Sequence, residues 1–168
     1  MLTQDQKKYL LTIPENQKLK YGHYDPKSTQ IASDFIDNIK DVLPEADVRF
    51  MGASALRISG QGDIDIYIFA NPKKFAAYLP ILKKVLGKPI HNSSLIEWQF
   101  SRNNHDITIY LDDPDKPTTQ SQIKIFEALK RDKSLLAEYE KLKNKASKLS
   151  MREYQKSKYE FYNKILNI

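Results

Sequence analysis

The 168-residue chain has no cysteine, so disulfides, thiolate zinc sites and cysteine nucleophiles are excluded. Its only other soft ligands, His23, His91 and His105, are scattered along the sequence, which argues against a zinc enzyme. There is no apolar run of membrane-spanning length, and the first residues have no apolar signal-peptide core. A cytoplasmic protein with no membrane partner is therefore expected. Internal repeats and low-complexity segments are also missing.

What remains is ordinary globular material, 40% hydrophobic and 29% charged, long enough to bury a core as one domain. Charge is unevenly placed. Residues 116–168 carry 13 Lys and Arg against 6 acids, which exceeds the whole chain's net +6. Such a surface either steers a nucleotide or an RNA backbone or forms a solvated helix face laced with ion pairs.

The informative stretch is residues 50–68. Ile64, Ile66 and Ile68 alternate with Asp63, Asp65 and Tyr67, the period of a strand with one buried face, so Asp63 and Asp65 share a side. Two carboxylates so placed repel unless a cation lies between them, and Mg²⁺ is the usual cation when phosphates are also bound. Upstream, Gly52-Ala53-Ser54 follows the apolar residues Val48, Phe50 and Met51. A close turn into a short helix there would face free N–H groups toward an anion. A two-metal site needs a further acid, and Asp106 opens a second alternating segment in which Asp106, Thr108 and Tyr110 share a face.

Taken together, Gly52-Ala53-Ser54, Asp63-Ile64-Asp65 and a later strand acid resemble the signature of the nucleotidyltransferase superfamily that includes DNA polymerase beta. Within it the chain looks most like the GrpB-like family, on Tyr24-Asp25-Pro26, Gly52-Ala53-Ser54-Ala55, Gly62-Asp63-Ile64-Asp65-Ile66, Phe126-Glu127-Ala128-Leu129 and Leu135 to Lys143. Ala53 stands where the superfamily usually has Gly or Ser directly after the first Gly. The resemblance implies an α+β fold with a mixed sheet, packed helices and a C-terminal helical segment. It also implies Mg²⁺-dependent transfer of a nucleoside monophosphate from an NTP such as ATP to an acceptor hydroxyl. Asp63, Asp65 and Asp106 would be metal ligands and catalytic residues, and Gly52, Ala53, Ser54 and Arg57 would bind phosphate. The alternative is a non-catalytic module that binds nucleotide, RNA or a protein. Ser54 is either a phosphate contact or a helix cap, and Arg57 either reaches the triphosphate or makes a surface ion pair. His105 either orients a metal ligand or is a half-exposed strand residue. Trp98 and the C-terminal tyrosines either stack on a base or pack in the core.

The chain divides into an extension over 1–20, an α/β core over 21–115 and the helical segment over 116–168. A short helix is expected around Tyr9 to Ile13. A second helix, capped by Ser28 or Thr29, carries Ile31, Phe35, Ile39 and Val42 and ends at Pro44. Asp47–Met51 reads as the first central strand. Asn71-Pro72 opens a helix with Phe75, Leu79, Leu82 and Leu86 buried, in which Pro80 predicts a kink or break before the Gly87 stop. Residues 95–100 and the Asp106 strand form a hairpin through Asn103-Asn104. The acids around Pro114 are turn chemistry. Three helices follow, with capping boxes at Thr119…Gln122 and Ser150…Glu153 and a stripe of Leu135, Tyr139, Leu142, Ala146 and Leu149.

Overall fold

The computed structural model describes residues 1–92, 96–146 and 148–168. Three strands that alternate as the sequence does form the centre of the molecule. β2 (Ile64–Phe69) lies parallel to β5 (His105–Asp112), which pairs antiparallel with β4 (Ile96–Arg102). β1 (Asp47–Met51) and the two-residue β3 (His91–Asn92) close the edges, giving the order β1-β2-β5-β4-β3. β1 is thus an edge strand, not the central one its apolar residues suggested. It pairs only with β2, and its burial is partial until Met51.

One sheet face is apolar. Ile64, Ile66, Ile68, Ile107, Ile109 and Leu111 are all at most 1% exposed, and with Ile96 and Trp98 they pack against α2 (Lys27–Val42) and α4 (Phe75–Leu86). Each such side chain contributes roughly 1.5–3 kcal/mol by leaving water. Pairing and alternation therefore force Asp65, Tyr67, Thr108 and Tyr110 onto the opposite face.

Local signals explain most boundaries. The β4–β5 hairpin turns through Asn103 (φ 52°) and Asn104 (φ 64°), the left-handed pair that a two-residue turn requires. Leu95 lies outside the described residues, and the strand runs on to Arg102. Helix α2 starts one residue before Ser28 with Pro26 at its cap, and the Ser28 hydroxyl donates to the Asp25 carbonyl instead of capping. Asn71 caps a 3-10 turn, Pro72–Lys74, that leads into α4. The expected break at Pro80 does not occur: α4 runs unbroken through it to Gly87, whose φ of 79° ends the helix. Proline's missing N–H leaves a single helical bond unmade, and Tyr78, Leu82 and Leu86 stay buried around it.

The C-terminal segment forms α5 (Pro117–Arg131), α6 (Lys133–Ala146) and α7 (Met151–Leu166), which pack on one another. Helix α5 begins two residues before Thr119, so no capping box forms there. Thr119 donates instead to the buried Asp112 carboxylate at 2.6 Å. The Ser150–Glu153 box is present. Helix α6 stops at Ala146, which leaves Leu149 outside its stripe and 38% exposed. A second core of Ile58, Ile125, Leu129, Tyr139 and Phe161 ties these helices to the chain just after Gly52. The N-terminal helix α1 (Gln4–Thr12) has a Thr3–Gln6 capping box and docks on α7, where Gln6 and Asn163 exchange hydrogen bonds.

Candidate active site

Register sets the site. Asp65 lies opposite Thr108 and Ile64 opposite Ile107, so one step back Asp63 comes level with Asp106 across parallel strands. Asp63, Asp65 and Asp106 line one open polar pocket of about 440 Å³ with Lys20, Gln61, Gln99, Thr108 and Tyr110. Among the described residues, the Asp63 and Asp65 carboxylates have no hydrogen-bond or ion-pair partner. Burial and then the Asp63 charge push Asp65 up to about 6, and burial pushes Asp63 up as well. Asp106 differs from both. It is exposed and ion-paired to Lys20 at 3.1 Å.

The turn at Gly52 is built around Asp65. Gly52 has φ 82°, and a Cβ there would sit 2.9 Å from Asp65 Oδ2, so the position demands glycine for its backbone angle and for the carboxylate beside it. A four-residue helix, α3 (Gly52–Ala55), follows. Ser54 within it is buried, and its hydroxyl donates to the Asp63 carbonyl at 2.6 Å, so it neither caps the helix nor stands free. Ala53 lines a second cavity with Gly52. Arg57 lies just past α3, exposed, with φ 58°.

The loop between α3 and β2 is pinned from two sides. Gly60 exchanges two backbone hydrogen bonds with Gly22, at 2.8 and 3.0 Å. His105 is buried, not half-exposed, and its ring joins the Gly62 carbonyl at 2.8 Å to the Asp25 carboxylate at 3.1 Å. Both partners are acceptors, so the ring bridges them fully only as a double donor. The Lys27 amide and then His105 hold the Asp25 carboxyl below the usual carboxylate range. Tyr24 donates to or accepts from Thr29 at 2.9 Å. Tyr24-Asp25-Pro26 thus acts as an anchor that fixes the loop before Asp63. Trp98 is 1% exposed with its indole N–H on the Gly87 carbonyl, which makes it a core residue.

Two lysines that the sequence did not single out also face the acids. Lys143 is buried, donates to the Tyr154 hydroxyl at 2.9 Å and lies over the rings of Tyr139 and Tyr154. Desolvation, and then the charge of Lys158, push it down to about 7. Lys158 lines the second cavity with Gly52, Asp65, Tyr67, Tyr139 and Tyr162. In a chain with 27 Lys and Arg, nothing in the pattern marks these two.

A five-stranded mixed sheet with helices packed on its apolar face and a C-terminal helical segment beside it is an α+β fold, with the acids and the glycine turn on the sheet's other face. A solved structure shares that fold: the conserved protein GrpB from Enterococcus faecalis, with a TM-score of 0.62 over 88% of this chain and 97% of that one. At 14% identity the likeness is one of architecture. No family model matches this sequence, and no curated protein does. Among the described residues, no helix is long and apolar enough to cross a membrane, and no three His, Cys, Asp or Glu side chains are grouped closely enough to hold a metal by themselves.

Proposed function

We propose that this protein is a Mg²⁺-dependent nucleotidyltransferase that moves a nucleoside monophosphate from an NTP to an acceptor hydroxyl. The observation that supports it best is the meeting of Asp63, Asp65 and Asp106 in one pocket, with the first two carboxylates in no hydrogen bond or ion pair among the described residues. Two half-buried acids whose proton affinity is raised by burial and then by a neighbouring carboxylate, Asp63 acting on Asp65 and Asp106 on Asp63, are a strained arrangement, which a hard divalent cation with oxygen ligands would relieve. Gly52 leaves open the space beside Asp65 Oδ2 that a Cβ would fill. The donor set is all oxygen, so the residues fit Mg²⁺.

Asp63, Asp65 and Asp106 would hold the metal jointly with the phosphate oxygens of the nucleotide, since the three carboxylates are not grouped closely enough to hold it by themselves. When bound, Mg²⁺ supplies charge neutralisation at the phosphates and lowers the proton affinity of the acceptor hydroxyl. Asp106, at the open side of the site, receives the acceptor's proton. The acceptor oxygen forms a bond to the α-phosphorus, the bridge from that phosphorus to the β-phosphate breaks, and its electron pair leaves with pyrophosphate. Lys20 restrains Asp106 by its ion pair, and Ser54 and His105 hold the backbone at Asp63 and Gly62. Most of the rate gain in such a site comes from positioning and charge.

Thermal unfolding with each NTP, with and without Mg²⁺, tests this reading. Ligand at a hundred times its dissociation constant adds about 2.7 kcal/mol. Stabilisation by an NTP that needs Mg²⁺ and is lost in Asp63→Asn/Asp65→Asn is expected. If no NTP stabilises the wild type, the reading is overturned.

A further inference from the structure

Asp65 borders two spaces. On one side is the polar pocket that also holds Asp63 and Asp106. On the other is a cavity of about 170 Å³ roofed by α5, α6 and α7 and floored by the Gly52 turn and β2. The smaller space cannot hold a whole nucleoside triphosphate, since pockets for ligands of that size run to about 300–1,000 Å³. It has room for one end of such a molecule.

The one lysine among the described residues that line it identifies which end. Lys158 is half-buried and lies over the Tyr162 ring, 5.5 Å from its centroid. Among the described residues no hydrogen bond holds its ammonium and no carboxylate lies within ion-pair distance of it, although the charge of Asp65 in the same cavity favours its charged form. If Asp65 is taken up by a metal ion, this half-buried cation loses that carboxylate as a counter-charge, and an anionic ligand would supply one. Lys143, on the neighbouring helix, shows the contrast. Its ammonium is committed to the Tyr154 hydroxyl and two ring faces, and the same group packs 3.1 Å from where a Cβ on Gly60 would lie. Lys143 braces the loop before Asp63, whereas Lys158 is available. Tyr67, Tyr139 and Tyr162 also line the cavity, with the Tyr139 and Tyr162 hydroxyls bonded to each other at 2.9 Å.

We propose that this cavity is the pyrophosphate site, that Lys158 is its charge partner, and that the rest of the nucleotide passes Asp65 into the polar pocket. The inference rests on the transferase reading above. It makes the C-terminal helix α7 part of the substrate site: Lys158 binds the β- and γ-phosphates of the donor and holds the pyrophosphate as the α-phosphorus bond to its bridging oxygen breaks.

Isothermal titration of the full chain with inorganic pyrophosphate and with each NTP, all in Mg²⁺, tests it. The variants are Lys158→Met, Lys158→Gln, Lys158→Arg and the control Lys156→Met, which removes an exposed lysine of the same helix. Variants with a wild-type melt in the absence of ligand are compared. Both Lys158→Met and Lys158→Gln should weaken pyrophosphate at least tenfold and NTP by a similar factor, Lys158→Arg should recover part of the loss, and Lys156→Met should stay within twofold. Pyrophosphate binding within twofold of wild type in Lys158→Met or Lys158→Gln overturns the proposal. If NTP binding needs Asp63 and Asp65 but ignores Lys158, only this inference falls. If no NTP binds the wild type, both fall.

Discussion

Replacing Gly52 with alanine separates the two reasons for a glycine at the turn. The backbone angle, φ 82°, costs an L-residue roughly 1–2 kcal/mol. The added methyl also meets Asp65 Oδ2 at 2.9 Å, but Asp65 Cβ and Cγ lie 3.8 Å away, so the carboxylate can rotate aside at little cost. Stability loss is thus a backbone effect, and displacement of the carboxylate is a separate, functional one. For a chain of this length a 1 kcal/mol change moves the melting temperature by about 2–4 °C, so Gly52→Ala should melt about 2–8 °C lower. Urea unfolding in the wild-type and Asp65→Ala backgrounds resolves the two contributions. The same 1–2 kcal/mol is expected in both, within about 0.5 kcal/mol, while Mg²⁺-dependent nucleotide binding is already lost in the Gly52→Ala single variant, which keeps Asp65. A wild-type melt, or a cost that vanishes once Asp65 is truncated, refutes the reasoning.

Two other perturbations follow from the same neighbourhood. Ser54→Ala removes the donor to the Asp63 carbonyl and should cost about 1–2 kcal/mol in urea unfolding; a neutral result would mean that the bond does not hold the strand's entry. Lys143 is pushed down to about 7 from an ordinary 10.5, so the folded chain binds its proton less well than the unfolded one. Its unfavourable contribution is full below pH 7 and fades as pH rises toward 10.5, which makes stability increase from pH 7 to pH 9. Lys143→Met should flatten that rise in urea unfolding followed against pH, and an unchanged slope would show that Lys143 is not its source.

Periodicity carried the sheet and the acids. Ile64, Ile66 and Ile68 fixed which way Asp63 and Asp65 face, and Asn103-Asn104 located the hairpin that brings Asp106 back. The sequence does not encode as plainly where a strand sits in the sheet. Val48, Phe50 and Met51 read as central, yet their strand is at an edge because burial there comes from helices packed on one face. Helix starts were misplaced where the capping residue had a better partner: Ser28 on the Asp25 carbonyl, Thr119 on Asp112. His105 looked like an ordinary strand residue because its partners, Gly62 and Asp25, are brought to it only by the fold. Lys143 and Lys158 were invisible for the same reason, since a lysine facing a cavity and a lysine facing water have the same letter.

The central claim, that Asp63 and Asp65 with Asp106 form a divalent-metal site for an NTP, is tested most directly by titrating Mn²⁺ in the presence of nucleotide and following free Mn²⁺ by electron paramagnetic resonance. The wild type should bind one or two Mn²⁺ ions per chain beyond those held by free nucleotide, and Asp63→Asn/Asp65→Asn should bind none. Equal binding by both proteins, or none by the wild type, contradicts it.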